Sequence, residues 1–439
     1  MQQETHVPGP TPTRRTMLTL MGLLALGAAP VVTACGTSRE SLAGGPVPVS
    51  AKKRVDVSLA PAPRSAEVVR GISAFAARLH RETATATENY TVSPFSIAVA
   101  FGMLRAGARG DMAGQIDEVF GFPTSTRPEG SPHETFNALT ADLLTPSALK
   151  GGDRAPIVEV ANGLFVDDDF GPLVKPAFTD TLAEQYGARP ETVDFSGDAI
   201  ARLNAWTSQQ THGRISELFE TLDPLTVLVL ANAVYLKASW LTQFERSSTS
   251  PQPFRTTVGS EVGVPMMSQE TPPVRYAENA QWQRITLPYV GDELSMRVVL
   301  PRDVVTGVPA LTSLLDVATA STGKDRPEVV ALDLPRWDTA TNLDLLTAVR
   351  SLGLTDLVDL RGITEEVDLE LSQAVHRATI TVDETGSEAA AVTGLGIAVL
   401  SAMPLPRTTM RVDRPFVWAI VHEPSQTPVF VGHVVDPTR

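Results

Sequence analysis

Apolar residues at Val68, Ile72, Phe75 and Leu79 recur at helical spacing and predict an amphipathic helix that opens the folded body near Ser65. A second helix is predicted where Ser93 stands as N-cap and Pro94 as the first helical residue, with Ile97, Phe101 and Leu104 along one face. Further helices are predicted at residues 111–120, 176–186, 199–211 and 341–352, several of them followed by glycine. Strands are expected at 157–166, 226–236, 294–300, 329–334, 378–382, 412–421 and 429–435, several apolar on both faces. Helices gather early and strands late, which makes the class α+β rather than an alternating parallel-sheet fold.

One stretch has the pattern of a strand without the bulk that fixes one. Residues 383–403 read DETGSEAAAVTGLGIAVLSAM, with glycine and alanine dominant over 386–398. After Thr393 the alternation is strict: Leu395, Ile397 and Val399 fall on one face, and Gly394, Gly396 and Ala398 on the other. Continued backward, the first face collects Thr393, Ala391, Ala389 and Ser387, and Glu388 falls on the solvent side, so the charge escapes burial. Such small side chains leave room for a backbone to enter a crowded sheet late. The composition alone also allows an alanine-rich helix over 387–392 followed by a loop.

Glu384, Gly386, Ser387, Glu388, Ala389, Ala390 and Ala391 resemble the hinge of the reactive-centre loop of inhibitory serpins. The resemblance extends over residues 65–437. Ser93-Pro94-Phe95-Ser96-Ile97 with Gly107-Ala108-Arg109-Gly110 is similar to the early helix signature of that family, and Ala231 to Lys237 with Trp240 and Phe244 to a central strand of its main sheet. Leu287-Pro288-Tyr289, Leu294-Ser295-Met296, Leu332 to Pro335, Asp413-Arg414-Pro415-Phe416 and Gly432 to Pro437 also fit, in the family's order.

The resemblance implies a serpin fold, with three β-sheets, a helical cluster and an exposed reactive-centre loop. It implies suicide-substrate inhibition of serine proteases, with a covalent acyl-enzyme complex trapped by loop insertion, and a monomer. Counted from Glu384, the reactive bond falls at Leu400–Ser401, and the apolar Leu400 implies a target of chymotrypsin-, elastase- or subtilisin-like preference. Ser93, Ser96, Asn232 and His376 match the polar cluster that lets the main sheet open, and Trp240 matches the aromatic where insertion begins. Ala238, Thr385 and Val392 depart from the family's usual residues without blocking insertion. A non-inhibitory serpin acting as a binding module is the alternative.

Charge and composition narrow the rest. A net charge of -14, from 36 basic and 50 acidic residues, excludes nucleic acid as a partner. Thr13, Arg14 and Arg15 precede an apolar run over 17–32 that closes at Val32, Thr33, Ala34 and Cys35. These parts predict an export signal over 1–34, similar to a twin-arginine leader with a lipobox. Cys35 is the expected lipid attachment point, and the chain is expected outside the cell, anchored to the outer face of a bacterial membrane or extracellular if released. As the single cysteine it excludes an internal disulfide. Residues 35–64 are expected to be the acylated cysteine and a flexible tether with a reach of roughly 30 Å, and 65–439 the folded domain.

Enzyme signatures are poor. Ser147 and Lys150 satisfy an S-x-x-K spacing without its companion elements, which leaves an exported hydrolase weakly supported. No zinc-ligand spacing joins the seven histidines, and Asp167 to Asp169 read as a solvated turn, so no metal or cofactor is expected.

Overall fold

The computed structural model describes residues 47–57, 65–123, 131–144, 154–223, 225–320, 325–387 and 408–439. The leader, Cys35, Ser147, Glu388, Ala389, Ala390, Ala391, Leu400 and Ser401 lie outside them.

The helices are α1 (Ser65–Thr83), α2 (Pro94–Gly107), α3 (Gly110–Phe120), α4 (Pro132–Leu144), α5 (Pro176–Tyr186), α6 (Ala199–Gln210), α7 (Val308–Thr319) and α8 (Leu345–Ser351). α2 starts as the sequence predicts: the Ser93 side chain accepts the Ser96 N–H at 3.1 Å and Pro94 occupies the first turn, where a missing N–H costs nothing. Nearly every residue of α2 is buried, because it runs beneath a sheet rather than on the surface.

The central sheet has six strands in the order β12 (Trp337–Asp344), β13 (Gln373–Val382), β14 (Gly386–Ser387), β4 (Leu228–Ser239), β2 (Ile157–Asp167) and β3 (Glu191–Val193). Seven strands make the second sheet: β1 (Tyr90–Val92), β17 (Thr427–Val434), β16 (Phe416–His422), β9 (Leu294–Pro301), β8 (Trp282–Pro288), β7 (Val274–Glu278) and β10 (Arg326–Glu328). The third holds β15 (Thr408–Arg411), β11 (Val330–Pro335), β6 (Glu261–Glu270) and β5 (Ser250–Arg255). Among the described residues, three sheets and eight helices bear out the expected fold. The main core lies between the central and seven-stranded sheets, with α2 inside it.

On β4 and β13 the even-numbered residues face this core and the odd-numbered ones face α6. Gly432 of β17 passes so close to β1 that a Cβ there would lie 2.2 Å from the Tyr90 carbonyl oxygen, so no larger residue fits without shifting backbone.

Three expectations are corrected. The stretch 341–352 is not one helix: its first residues finish β12, and only at the N-cap Asp344, whose Oδ1 accepts the Thr347 N–H at 3.2 Å, does α8 begin. The stretch 412–421 is not strand throughout: residues 412–415, with Pro415, link β15 to β16, which begins only at Phe416. Nor are residues 47–57 free. Arg54 Nε donates to Asn137 Oδ1 at 2.9 Å, Asn137 Nδ2 donates to the Val55 carbonyl at 2.7 Å, and the Val55 N–H donates to the Glu184 carbonyl at 2.9 Å. Composition suggests a loose tether, but the buried Asn137 finds its hydrogen-bond partners there.

Candidate functional site: the opening seam of the central sheet

β4 and β13 pair directly and in parallel from Gln373 and Val229 to Ala378 and Val234. Above that, Ser387 of β14 stands between Val382 of β13 and Ala238 of β4, antiparallel to both. A short turn delivers it: Asp383 Oδ1 accepts the Thr385 N–H at 2.7 Å and the Gly386 N–H at 3.2 Å. Gly386 has φ +152°, and a Cβ on it would lie 2.0 Å from the Ala238 carbonyl oxygen, so only glycine fits.

The turn is fastened on three sides. Glu384 is buried and paired with Arg336, whose Nε donates to Oε1 at 2.8 Å and whose Nη2 also reaches that oxygen; Thr249 Oγ1 donates there as well. Burial alone would raise the Glu384 carboxyl, but these donors outweigh it and hold it below the usual range. The Trp240 N–H donates to the Thr385 carbonyl at 3.0 Å, and its Nε1 to the Asp383 carbonyl at 2.9 Å. Trp240 stacks on Tyr289 at 4.6 Å between centroids, and the Tyr289 hydroxyl lies 2.7 Å from Ser387 Oγ. The Ser387 side chain thus points into the core, on the face the alternation predicts.

Lower on the seam, beneath the parallel ladder, the four predicted polar residues meet. His376 Nε2 accepts the Ser93 N–H at 3.1 Å, which assigns the ring proton to Nδ1, hydrogen-bonded to Asn232 Oδ1. Asn232 Nδ2 donates to Ser96 Oγ at 2.6 Å and also reaches Asn162 Oδ1, while Ser93 Oγ donates to the Val429 carbonyl at 2.6 Å. Burial lowers the His376 pKa to about 3, so the ring is neutral. The cluster spans β2, β4, β13, α2 and β17 and holds them by directional bonds.

Sequence reasoning missed Arg336, Thr249 and Asn162, and named Tyr289 only within the Leu287-Pro288-Tyr289 motif, not as a partner of Ser387. Asn162 sits opposite Asn232 in the antiparallel pairing of β2 with β4, so a paired register would have found it. Arg336 and Thr249 carry no local signal. At Asp167 to Asp169, Oδ1 of Asp167 accepts the Asp169 N–H at 3.1 Å, which gives that cluster a turn-making role.

This geometry has close relatives. A family model described as "Serpin (serine protease inhibitor)" matches residues 70–437. Iripin-8 of Ixodes ricinus is 34% identical over 79% of this chain and 87% of its own length, and the leukocyte elastase inhibitor of Sus scrofa is 34% identical over 80% and 93%. The structure of Serpin48, described as a highly specific serpin in the insect Tenebrio molitor, superposes with a TM-score of 0.72 at 28% identity, covering 84% of this chain and 98% of that one. With the three sheets, the seated hinge and the polar cluster, these similarities establish that the chain belongs to the serpin family of protease inhibitors.

Proposed function

We propose that the chain is a suicide-substrate inhibitor of serine proteases with chymotrypsin-, elastase- or subtilisin-like preference, with Leu400–Ser401 as its bait. The carrying observation is Ser387, already seated between β13 and β4 as the first residue of a potential new strand. A protease serine Oγ attacks the Leu400 carbonyl carbon; the Leu400–Ser401 bond breaks, the new Ser401 amine leaves with a proton, and Leu400 remains as an ester on the protease. Freed at that end, the loop continues the strand below Ser387 and carries the ester-linked protease with it before water can hydrolyse the bond. Burial of Leu395, Ile397 and Val399 contributes on the order of 1.5–3 kcal/mol each, and the added ladder bonds contribute further. The uncleaved form is therefore metastable.

In this reading the chain acts as a monomer, exported by its leader and held by lipid on Cys35. The test is incubation with chymotrypsin, a pancreatic elastase and subtilisin. A detergent-stable complex with at least one of them, together with a released peptide beginning at Ser401, supports the reading. Turnover without complex, or no cleavage, points instead to a binding module. The lipid proposal is checked by the mass of the amino-terminal peptide and its loss in Cys35→Ala.

A further inference from the structure

Residues 47–57 lie along α4 and α5 without forming helix or strand. The two helices make contacts of their own: the Tyr186 hydroxyl of α5 lies 2.7 Å from His133 Nδ1 of α4, and the Tyr186 ring packs near that of Phe136, 6.4 Å between centroids. Their shared face is therefore built by the body of the protein, and the earlier segment is laid onto it. At one end Val47 enters the main core. The buried Ser50 hydroxyl donates to Asp180 Oδ1 of α5 at 2.5 Å and accepts the Lys52 N–H at 3.0 Å. Arg54 forks over α4, its Nε on Asn137 Oδ1 at 2.9 Å and its Nη2 on the Asn137 carbonyl at 3.0 Å and on Thr140 Oγ1.

The face offers polar groups that α4 and α5 do not fully satisfy between themselves. Glu184 stands in the last turn of α5, where carbonyls lack an intrahelical donor, and its carbonyl accepts the Val55 N–H at 2.9 Å. Asn137 is fully buried, and Arg54 supplies the donor to its Oδ1. Its Nδ2 reaches the Val55 carbonyl at 2.7 Å, closer than the Glu184 carbonyl at 3.2 Å or Gln185 Oε1 at 3.3 Å. Val55 thus has both backbone groups read, Arg54 its guanidinium, and Ser50 its hydroxyl. Main-chain bonds that hold an extended peptide, with a side-chain contact that selects it, are the elements of a peptide-recognition surface. We infer that the α4–α5 face is a preformed site for an extended peptide with arginine at its centre, and that residues 50–55 fill it in cis. The inference is independent of loop insertion and of the protease target.

Arginine is the side chain this face selects. Its planar fork reaches an amide oxygen, a backbone carbonyl and a hydroxyl together, which the point charge of an ammonium does not. The neighbouring Lys52 is no substitute: its ion pair with Glu184, 3.2 Å long, joins side chains 55% and 32% exposed and contributes little. A ligand carried on the same chain is present at an effective concentration on the order of millimolar. A free peptide of the same kind therefore gains the face only as the cis segment leaves it.

The experiment uses the full uncleaved chain as parent, Arg54→Met, Arg54→Lys and Val55→Pro. The probes are a fluorescent synthetic peptide with the sequence of residues 47–57 and a second peptide carrying Arg54→Met. Fluorescence anisotropy gives the Kd, and hydrogen exchange follows α4, α5 and residues 50–57. Arg54→Met and Val55→Pro, whose own segments are loosened, should bind the first peptide on the order of tenfold more tightly than the parent does, with Arg54→Lys between. The second peptide should bind none of the chains measurably. Amides of residues 54–57 should exchange on the order of tenfold faster in Arg54→Met, while α4 and α5 keep the parent's protection. Equal or absent binding of the first peptide to the parent and both loosened variants overturns the site, and equal binding of the two peptides overturns its selection of arginine. Loss of protection throughout α4 and α5 in both loosened variants overturns the proposal as well, since the segment is then a part of the helical fold and not its ligand.

Discussion

The hydroxyl of Ser387 lies 2.7 Å from that of Tyr289, in the core beneath the top of the central sheet. Ser387, fully buried, is therefore bonded to a side chain 98 positions earlier in the chain. Ser387→Arg forces a cation into this site. The variant should be cleaved by chymotrypsin at the parent's rate yet form no detergent-stable complex, as read on a denaturing gel. A complex yield equal to the parent's would show that Ser387 is not the first inserted position.

Glu384 and Arg336 make a second relationship whose two halves differ. Glu384 is 2% exposed and Arg336 41%, so removing the arginine strands a buried carboxylate, whereas removing the acid leaves a solvated guanidinium. Arg336→Met should cost about 1–3 kcal/mol, after discounting for the arginine's exposure, and Glu384→Gln less. Denaturant unfolding of the uncleaved form checks the order of the two.

Gly386→Ala should displace the hinge outright. The added Cβ meets backbone 2.0 Å away at a φ that alanine rarely adopts, at a cost of at least 1–3 kcal/mol on the order of other strained sites. The visible result is loss of melting temperature in the uncleaved protein and increased proteolysis at residues 383–387. An unchanged melting temperature would contradict the turn geometry.

Acid should unfold the protein through its histidines. Burial lowers His376 and His80 to about 3 and His133 and His433 to about 4, with neighbouring charges adding to the effect at His80 and His133. His433 Nε2 donates to the Glu88 carbonyl at 2.8 Å, so its Nδ1 accepts from His80 Nε2 at 2.8 Å, an arrangement of two neutral rings. Folded pKa values below the ordinary 6.5 mean that the unfolded chain takes up protons first. The stability these groups support is therefore complete above about pH 6.5 and is lost as pH falls towards 3, by ~1.4 kcal/mol per pH unit for each histidine. Unfolding free energies between pH 7 and 4 measure this slope; a flat profile would refute it.

What was readable in the sequence was what local chemistry decides. The Ser93-Pro94 start of α2 and the positions of β2, β4 and β17 follow from capping and burial of short runs. The four polar residues Ser93, Ser96, Asn232 and His376, which the structure brings together, were singled out by resemblance rather than periodicity. Helices α4 and α7 were not anticipated, although Phe136, Leu139 and Leu143 of the one and Leu311, Leu314, Leu315 and Ala318 of the other recur at helical spacing and are buried. The contacts of Arg336 and Tyr289 were invisible for another reason: they meet the segment 384–387 across 48 and 98 residues of sequence, and nothing near them encodes the approach. Residues 47–57 read as linker by composition, and only the buried Asn137 awaiting them says otherwise.

The parallel pairing of β4 with β13 has a topological consequence. A segment that leaves the end of β13 through a tight turn must run back antiparallel to β13, and since β4 runs the same way as β13, it is antiparallel to β4 as well. One strand direction therefore satisfies both β13 and β4, and under the proposed insertion a single slanted parallel ladder would give way to two of the more favourable kind. Had β4 and β13 been antiparallel, a returning strand would have matched one lip with each geometry. Gly386 and Ser387, which follow Val382, already run in that direction.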